Sequence, residues 1–282
     1  LLTRIDVSGS LPYLVAAACC CLAIIPVSTT LLASPDLPER FAVELRLWLR
    51  RCPVAIVGAF TSGALAMTLQ GVGAIYGGLI GLASSAIALM MAGTQVGNLV
   101  FQWPLGVLSD CVDRRVVLLF AALACFAVCI LLALAPTNWL PLIVLCFAIL
   151  AGCGESLYAL STAHANDRAE SGDHLSLAST LLVVWAAGAT IGPIAATTAM
   201  SHFGAIGMPI YFATVALGFG IYLLWRLSIR EAAAHQPHEA YIPLPQSAML
   251  ADEATLYSDD NSVVWEALVK TDKGSRGQPS GK

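Results

Sequence analysis

Gly106-Val107-Leu108-Ser109-Asp110-Cys111-Val112-Asp113-Arg114-Arg115 is a short charged segment between two long apolar ones, residues 84–109 and 116–135. Four charged side chains fall within its last six residues, although charged residues make up only 11% of the chain. Such a segment is expected in water or among lipid headgroups while both flanks lie in lipid. Its two arginines favour the cytoplasmic side, because cytoplasmic loops of membrane proteins are enriched in Lys and Arg.

The composition indicates an integral membrane protein. Hydrophobic residues make up 58% of the sequence, and the charged fraction is well below the ~25% of soluble domains. The sequence has no basic tract of the kind that binds nucleic acid. Its nine cysteines lie mostly in apolar segments without a CxxC pair, which indicates small hydrophobic side chains rather than disulfides or metal ligands.

The apolar segments predict an all-α membrane protein with seven transmembrane helices. A helix needs about 20 apolar residues to cross a bilayer. Segments of that kind occur at residues 11–34, 53–75, 84–109, 116–135, 139–162, 177–200 and 206–226. The connections on one side hold or border nine arginines, while those on the other side hold Arg4 alone. This asymmetry predicts an outside N-terminus and a cytoplasmic C-terminus.

Two segments differ from the spans. Residues 35–52 carry apolar side chains at helical spacing (Leu37, Phe41, Leu45, Trp48) among basic ones, which predicts an amphipathic linker in the membrane interface; a soluble loop helix is the alternative. Residues 227–282 are rich in Pro, Ser, Asp, Glu, Gln and Gly, which predicts a mainly disordered cytoplasmic tail.

Polar side chains within the spans are candidates for a binding site, because polar groups in lipid tend to face a cavity or one another. Gln95, Asn98 and Gln102 share one face of the third span at spacings i, i+3 and i+7. With Gln70 and Trp185, from the second and sixth spans, they are the predicted substrate-binding residues. Interhelical hydrogen bonding explains the glutamine–asparagine face equally well.

Glu155 is the one acidic residue well inside a span. Counted from the cytoplasmic ends, Gln102, Glu155 and Trp185 lie about six to eight residues deep, or roughly 10 Å. This common depth predicts that one cavity contains all three. A desolvated carboxyl group holds its proton more tightly and can exchange it near neutral pH. Glu155 is therefore the predicted proton-coupling residue, and a purely structural hydrogen bond between helices is the alternative.

Small residues are dense in the second and sixth spans and predict close helix packing. They are Gly58, Ser62, Gly63, Ala66, Gly71 and Gly73 in the second span, and Gly188, Gly192, Pro193, Ala195 and Ala196 in the sixth.

The segment Gly106-x-x-x-Asp110-x-x-x-Arg114-Arg115 resembles the signature loop of the major facilitator superfamily, G-x-x-x-D-[RK]-x-G-[RK]-[RK]. It departs from that pattern in having Cys111 at the first basic position and Asp113 at the second glycine. The Asp-Arg-Arg ending is similar to a branch of bacterial permeases and efflux carriers. The segments Gly154–Tyr158 and Trp185–Pro193 also look like the tenth and eleventh helices of that branch.

The resemblance covers about residues 1–230 and implies the C-terminal half of a twelve-helix carrier. Residues 1–34 would be the last helix of the N-terminal half, and 53–226 the six-helix C-terminal bundle. The missing N-terminal half-bundle would then be a partner, beside the lipid bilayer and a small-molecule substrate. The first residue, a leucine, favours a fragment of a longer protein, which should not transport alone.

The family resemblance also implies roles. Gly106, Asp110, Arg114 and Arg115 would form the gating loop, in which Asp110 with Arg114 latches a helix of the opposite half. A purely topological role for the arginines is the alternative. The whole protein would be a secondary transporter of the bacterial inner membrane.

A heptahelical receptor is the competing class, since seven spans with an outside N-terminus also fit it. Against it, the only lysines (270, 273 and 282) lie outside every span, so a retinal Schiff base cannot form. The last span also lacks N-P-x-x-Y. The sequence shows no nucleophile–base pair, metal-ligand spacing or P-loop, so we predict no enzyme, catalytic residue, metal or cofactor.

Overall fold

A computed structural model describes residues 10–28, 43–134, 139–169 and 173–229. These residues form eight α-helices and one short 3-10 helix, Gly204–Ile206, and contain no strand. The α-helices are α1 (Leu11–Ser28), α2 (Leu45–Arg51), α3 (Pro53–Leu79), α4 (Ser84–Cys111), α5 (Arg114–Leu134), α6 (Leu140–Asn166), α7 (His174–Phe203) and α8 (Gly207–Ile229).

The helices confirm the predicted all-α class and occur in the predicted order. Five helical stretches of the described chain are long and apolar enough to cross a bilayer. The last of them, His174–Ile229, comprises α7 and α8. A continuous helix of its 56 residues would be about 84 Å long, nearly three times the apolar thickness of a bilayer.

The chain reverses between α7 and α8 at Gly204. Its φ of +67° is a backbone conformation that favours glycine. A Cβ atom on Gly207 would collide with the backbone of Ala199, so the start of α8 lies directly beside the last turns of α7. Two helices of membrane length therefore occupy this stretch.

The helices extend beyond several predicted spans. Helix α4 continues to Cys111, past the predicted end at residue 109, and α6 continues to Asn166, past the predicted end at 162. Helix α7 begins at His174, before the predicted start at 177. Helix α1 ends at Ser28, and residues 29–34 of the first predicted span lie outside the described residues. The described side chains of α1 are exposed.

Two helix pairs, α3 with α7 and α4 with α6, pack most closely. A Cβ on Gly63 would lie 3.0 Å from Ala189 N and closer still to the carbonyl oxygen of Trp185. A Cβ on Gly188 would meet the backbone of α3 in the same way. Small residues permit such backbone approach in membranes. The predicted close packing of the second and sixth spans is therefore confirmed.

The α4–α6 contact also depends on glycine. A Cβ on Gly97 would collide with the backbone of Ala148, and one on Gly152 would lie 2.7 Å from the carbonyl oxygen of Gly97. The largest apolar core joins residues of all helices from α3 to α8, including Leu118, Phe147 and Phe212.

Helix α2 packs on the bundle through Trp48, which is fully buried with residues of α3, α6 and α7. Its indole Nε1 donates to Ser176 Oγ at 3.2 Å. Trp48 therefore faces protein, and the interfacial position of the linker itself stays a prediction. The physical reason for the burial of Trp48 is that α7 offers both an apolar surface and a hydrogen-bond acceptor. Leu37 and Phe41 lie outside the described residues.

The chain divides into two units, Leu1–Arg226 and Leu227–Lys282. All packing described here lies within the first unit. Residues 230–282, to which the predicted disordered tail mostly corresponds, lie outside the described residues.

Candidate functional site

Three polar side chains from different helices meet at Glu155 of α6. Gln70 Nε2 of α3 donates to Glu155 Oε1 at 2.8 Å. Asn98 Nδ2 of α4 donates to the other carboxylate oxygen, Oε2. Glu155 and Asn98 are half-buried, and Gln70 is exposed. We call Gln70, Asn98 and Glu155 the central polar cluster.

Backbone packing on both sides of Glu155 positions the central polar cluster. Ser62 Oγ of α3 donates to the carbonyl oxygen of Gly154 at 2.9 Å, which fixes α3 against α6 one residue before Glu155. Gly97, which precedes Asn98, lies against Ala148 and Gly152 of α6. The absence of a Cβ at position 97 therefore brings Asn98 within reach of the carboxylate.

The central polar cluster lies far from the helix ends. Glu155 is 11 residues before the end of α6, and Asn98 is 13 residues before the end of α4. At 1.5 Å per residue these depths are about 16 and 20 Å. Each helix is 27 or 28 residues long, so both groups lie near the middle of a membrane-length helix.

An aromatic pair lies one helical turn beyond the carboxylate. Tyr158, at position i+3 from Glu155, shares its side of α6. Its ring meets Trp185 of α7 edge to face, with ring centroids 6.2 Å apart. Both aromatic residues are half-buried, so parts of both rings remain accessible.

Three of the six predicted binding and proton-coupling residues come together as hydrogen-bonded partners, namely Gln70, Asn98 and Glu155. Trp185 lies next to this group because its ring contacts the ring of Tyr158, one turn from Glu155. Gln95 is exposed and donates to Thr94 Oγ1 at 3.5 Å, and Gln102 is exposed further along α4. Gln102 was predicted to share a cavity with Glu155, and the two lie at similar depths, nine residues before the end of α4 and eleven before the end of α6. The described hydrogen bonds of Glu155 do not include Gln102. The structure groups Asn98 with Glu155 instead.

Asn98 has an unsatisfied acceptor. Its Oδ1 is buried and has no hydrogen-bond partner among the described residues. An amide has two donors and an acceptor, and here a donor binds the carboxylate while the oxygen stays unpaired. The reverse orientation would place two oxygens against each other. The carboxylate therefore determines how Asn98 is oriented.

Most of the charged segment is helical, because Gly106–Cys111 belongs to α4 and Arg114 and Arg115 belong to α5. Only Val112 and Asp113 lie in the turn between the two helices. Asp113 Oδ1 accepts the backbone N–H of Arg115 at 2.9 Å, as an N-cap residue does. Its carboxylate also pairs with the Arg115 guanidinium at 2.7 Å. Burial alone would raise the pKa of Asp113, but the hydrogen bonds and charge of Arg115 outweigh it and lower the pKa.

Replacement of Asp113 by Ala is expected to destabilise the protein by about 1–2 kcal/mol, because α5 loses its N-cap and Arg115 loses a partner. Asp113→Asn should cost less, since Asn is also a good N-cap residue. Thermal unfolding in detergent measures the difference. The lowered pKa means that this stabilisation is complete above about pH 4 and is lost as pH falls further.

Asp110→Ala provides the control, because the Asp110 side chain is 69% exposed and lies 3.4 Å from Arg114 at its nearest. An unfolding midpoint for Asp113→Ala equal to that of Asp110→Ala would contradict the capping role.

The arginines of the segment are largely buried, which the sequence did not indicate. Arg114 Nε donates to Asp167 Oδ2 at 2.6 Å, just after the end of α6. Its side chain is 12% exposed. Asp167 is thus a closer partner than Asp110, and no sequence signal pointed to it. A Cβ on Gly106 would meet no atom of the described residues within 4 Å.

Comparison with known proteins identifies the family of this polytopic helical membrane protein. The Major Facilitator Superfamily model matches residues 52–270, from the start of α3 to beyond α8. The chain belongs to the major facilitator superfamily. The matched region begins after the first predicted span and includes part of the predicted tail. Membership in this family gives no support to the heptahelical receptor.

The relatives are bacterial proteins named as transporters. The chain is 27% identical over 219 residues to the uncharacterized MFS-type transporter Ent638_1421 of Enterobacter sp. (strain 638), covering 76% of this chain and 54% of the relative. It is 31% identical over 167 residues to YfkF of Bacillus subtilis, covering 58% and 41%. It is 26% identical over 210 residues to YcaD of Salmonella paratyphi B, covering 72% and 52%. The chain thus spans about half the length of these relatives. No solved structure matches it.

Proposed function

We propose that the chain is the C-terminal half of a proton-coupled secondary transporter that moves a small solute across the bacterial inner membrane. The observation that carries this proposal is the central polar cluster. A carboxylate held by amides from two other helices lies near the middle of membrane-length helices. Polar and ionisable residues at such depth are costly and typically mark solute or proton pathways.

Alternating access follows if the solute binds between this bundle and a second, N-terminal half-bundle. The half-buried carboxylate, the exposed amide of Gln70 and the half-buried Trp185 would then line the wall contributed by this chain. The covered fraction of the relatives, about half, supports the missing half-bundle as a partner. Transport would require both halves, since one half supplies only one wall of the pathway.

The charged segment would work at the cytoplasmic end of the pathway. Asp110 is exposed beside Gly106, where no described atom would obstruct a Cβ. A helix of the other half has room to approach there, and its N-terminus would attract the carboxylate through the helix dipole. The ion pair between Arg114 and Asp110 is long, at 3.4 Å. The contact of Asp110 with the partner helix, rather than this ion pair, would therefore form the latch. The C-terminus would also be cytoplasmic.

Proton coupling is assigned to Glu155. Ion pairs found among the described residues lie at helix ends and do not include it. Its recorded partners are neutral amides. A proton can therefore neutralise it without breaking an ion pair, which suits a group that alternates between charged and neutral forms.

The test uses inside-out membrane vesicles from cells that express this chain together with the proposed N-terminal half-bundle, because one half alone should not transport. A pH gradient is imposed, and solutes are added one at a time while a pH-sensitive dye reports the gradient. A transported solute should dissipate the gradient in these vesicles and not in vesicles from cells with an empty vector. If no solute in a broad panel moves protons or is itself accumulated, the proposed function is wrong.

A further inference from the structure

We infer that the central polar cluster recognises the protonated amino group of a solute that also carries an apolar or aromatic body. This inference rests on the proposed function, because it names the chemical class of the solute for the same site. Its basis is the juxtaposition of Glu155, the unpaired oxygen of Asn98 and the Tyr158–Trp185 ring pair.

The first argument concerns charge. A carboxylate near the middle of the bilayer needs a counter-charge, and its recorded partners in the described chain, Gln70 and Asn98, are both neutral. Glu155 is half-buried, so one side of it can still be reached. A protonated amine supplies both the positive charge and hydrogen-bond donors, and charge-assisted hydrogen bonds are the stronger kind.

The second argument concerns Asn98. Its amide donates to the carboxylate while its Oδ1 stays buried without a donor. The terminal torsion of asparagine is broad, so the amide can turn over. When an ammonium group neutralises the carboxylate, the turned amide presents its oxygen as a second acceptor for an N–H. The unpaired oxygen thus favours a cation that still carries N–H donors over a quaternary ammonium.

The third argument concerns the body of the solute. Tyr158 lies one turn from Glu155 on the same side of α6, and its ring contacts Trp185. Tyrosine and tryptophan rings attract cations over their faces and bury apolar groups. A solute with its ammonium at Glu155 would therefore have an aromatic surface beside it for an apolar or ring-containing body. A neutral sugar would leave the charge of Glu155 uncompensated.

The experiment measures equilibrium binding of three matched probes to the full 282-residue chain in lipid nanodiscs. Radiolabelled 2-phenylethylammonium carries both charge and N–H donors. Its N,N,N-trimethyl derivative keeps the charge without the donors, and 2-phenylethanol is a neutral donor. We expect 2-phenylethylammonium to bind at least about tenfold tighter than the alcohol, and tighter than the trimethyl derivative.

Substitutions test which residue is responsible for each binding preference. Glu155→Gln should abolish the preference for 2-phenylethylammonium over the alcohol, and Glu155→Asp should retain it. Asn98→Leu should abolish the preference over the trimethyl derivative alone. Thr214→Ala is the control, because Thr214 is exposed on α8 and its hydroxyl donates to its own helix at Ile210. Variants are compared only if their unfolding midpoints match that of the wild type.

Three outcomes would overturn the inference: no binding of any probe, equal affinity for the ammonium and the alcohol, or an ammonium preference that survives in Glu155→Gln. None of these results contradicts the proposed function if the vesicles still transport a solute together with protons. Conversely, ammonium binding without any coupled flux would contradict the proposed function and not the assigned chemical class.

Discussion

Glu155→Gln is expected to eliminate proton-coupled solute movement while leaving the fold intact. Glutamine keeps an oxygen that can accept from Gln70 and cannot ionise. Its new N–H group can donate to Asn98 Oδ1 once the Asn98 amide has turned over, and the amide nitrogen then takes the buried position in which Oδ1 is unpaired in the wild-type protein. The number of unpaired buried polar groups does not change, so the unfolding midpoint should stay close to that of the wild type.

The measurement combines two assays on the same membranes. Gradient dissipation by a transported solute should fall to the level of the empty vector. Exchange of labelled for unlabelled solute needs no net proton movement, so it should persist at solute concentrations high enough to offset weaker binding to the variant. Glu155→Asp is the matched control, because it keeps an ionisable group at the site. Unchanged gradient dissipation in Glu155→Gln would show that Glu155 does not carry the proton.

Gly63→Ala is expected to destabilise the protein strongly. The added Cβ would collide with the carbonyl oxygen of Trp185 and lie 3.0 Å from Ala189 N. Both are backbone atoms, so only separation of α3 from α7 relieves the clash. Overpacking of this kind costs about 1–3 kcal/mol. Because the displaced residue is Trp185, solute binding should weaken as well.

Gly71→Ala provides the control on the same helix, since a Cβ there would meet no atom within 4 Å in the described part of the chain. Alanine is also a better helix former than glycine, so this variant should unfold at or above the wild-type temperature. Thermal unfolding of both variants in the same detergent makes the comparison. Equal midpoints for Gly63→Ala and Gly71→Ala would show that the α3–α7 contact tolerates a methyl group. Gly188→Ala repeats the test from the α7 side, where the clash is with Phe60.

Much of the fold could be predicted because it depends on local properties. Runs of about 20 apolar residues predict membrane helices, since the backbone must satisfy its own hydrogen bonds in lipid. The ends of the helices were predicted less well. Helix α5, capped by Asp113, begins at Arg114, two residues before the predicted start, and α6 extends to Asn166 although its last turns include polar residues. Hydropathy alone does not detect the part of a helix that continues beyond the apolar segment.

The candidate site could be predicted only in part. The rarity of carboxylates in lipid singled out Glu155, and helical spacing singled out the polar face of α4. Which residue of that face would meet Glu155 depends on the contact of Gly97 with Ala148 and Gly152. That contact selects Asn98, while Gln95 and Gln102 remain exposed elsewhere on α4.

The sequence by itself determined the class of protein, the order of the helices and the position of the charged segment, because each follows from hydropathy, charge and a local motif. The tertiary structure decided the partners. It pairs Arg114 with Asp167, buries Trp48 against α7, and gathers Gln70 and Asn98 around Glu155. Asn98 reaches Glu155 because glycines let α4 and α6 approach closely, and the distances between helices are a property of the packed bundle rather than of any single segment.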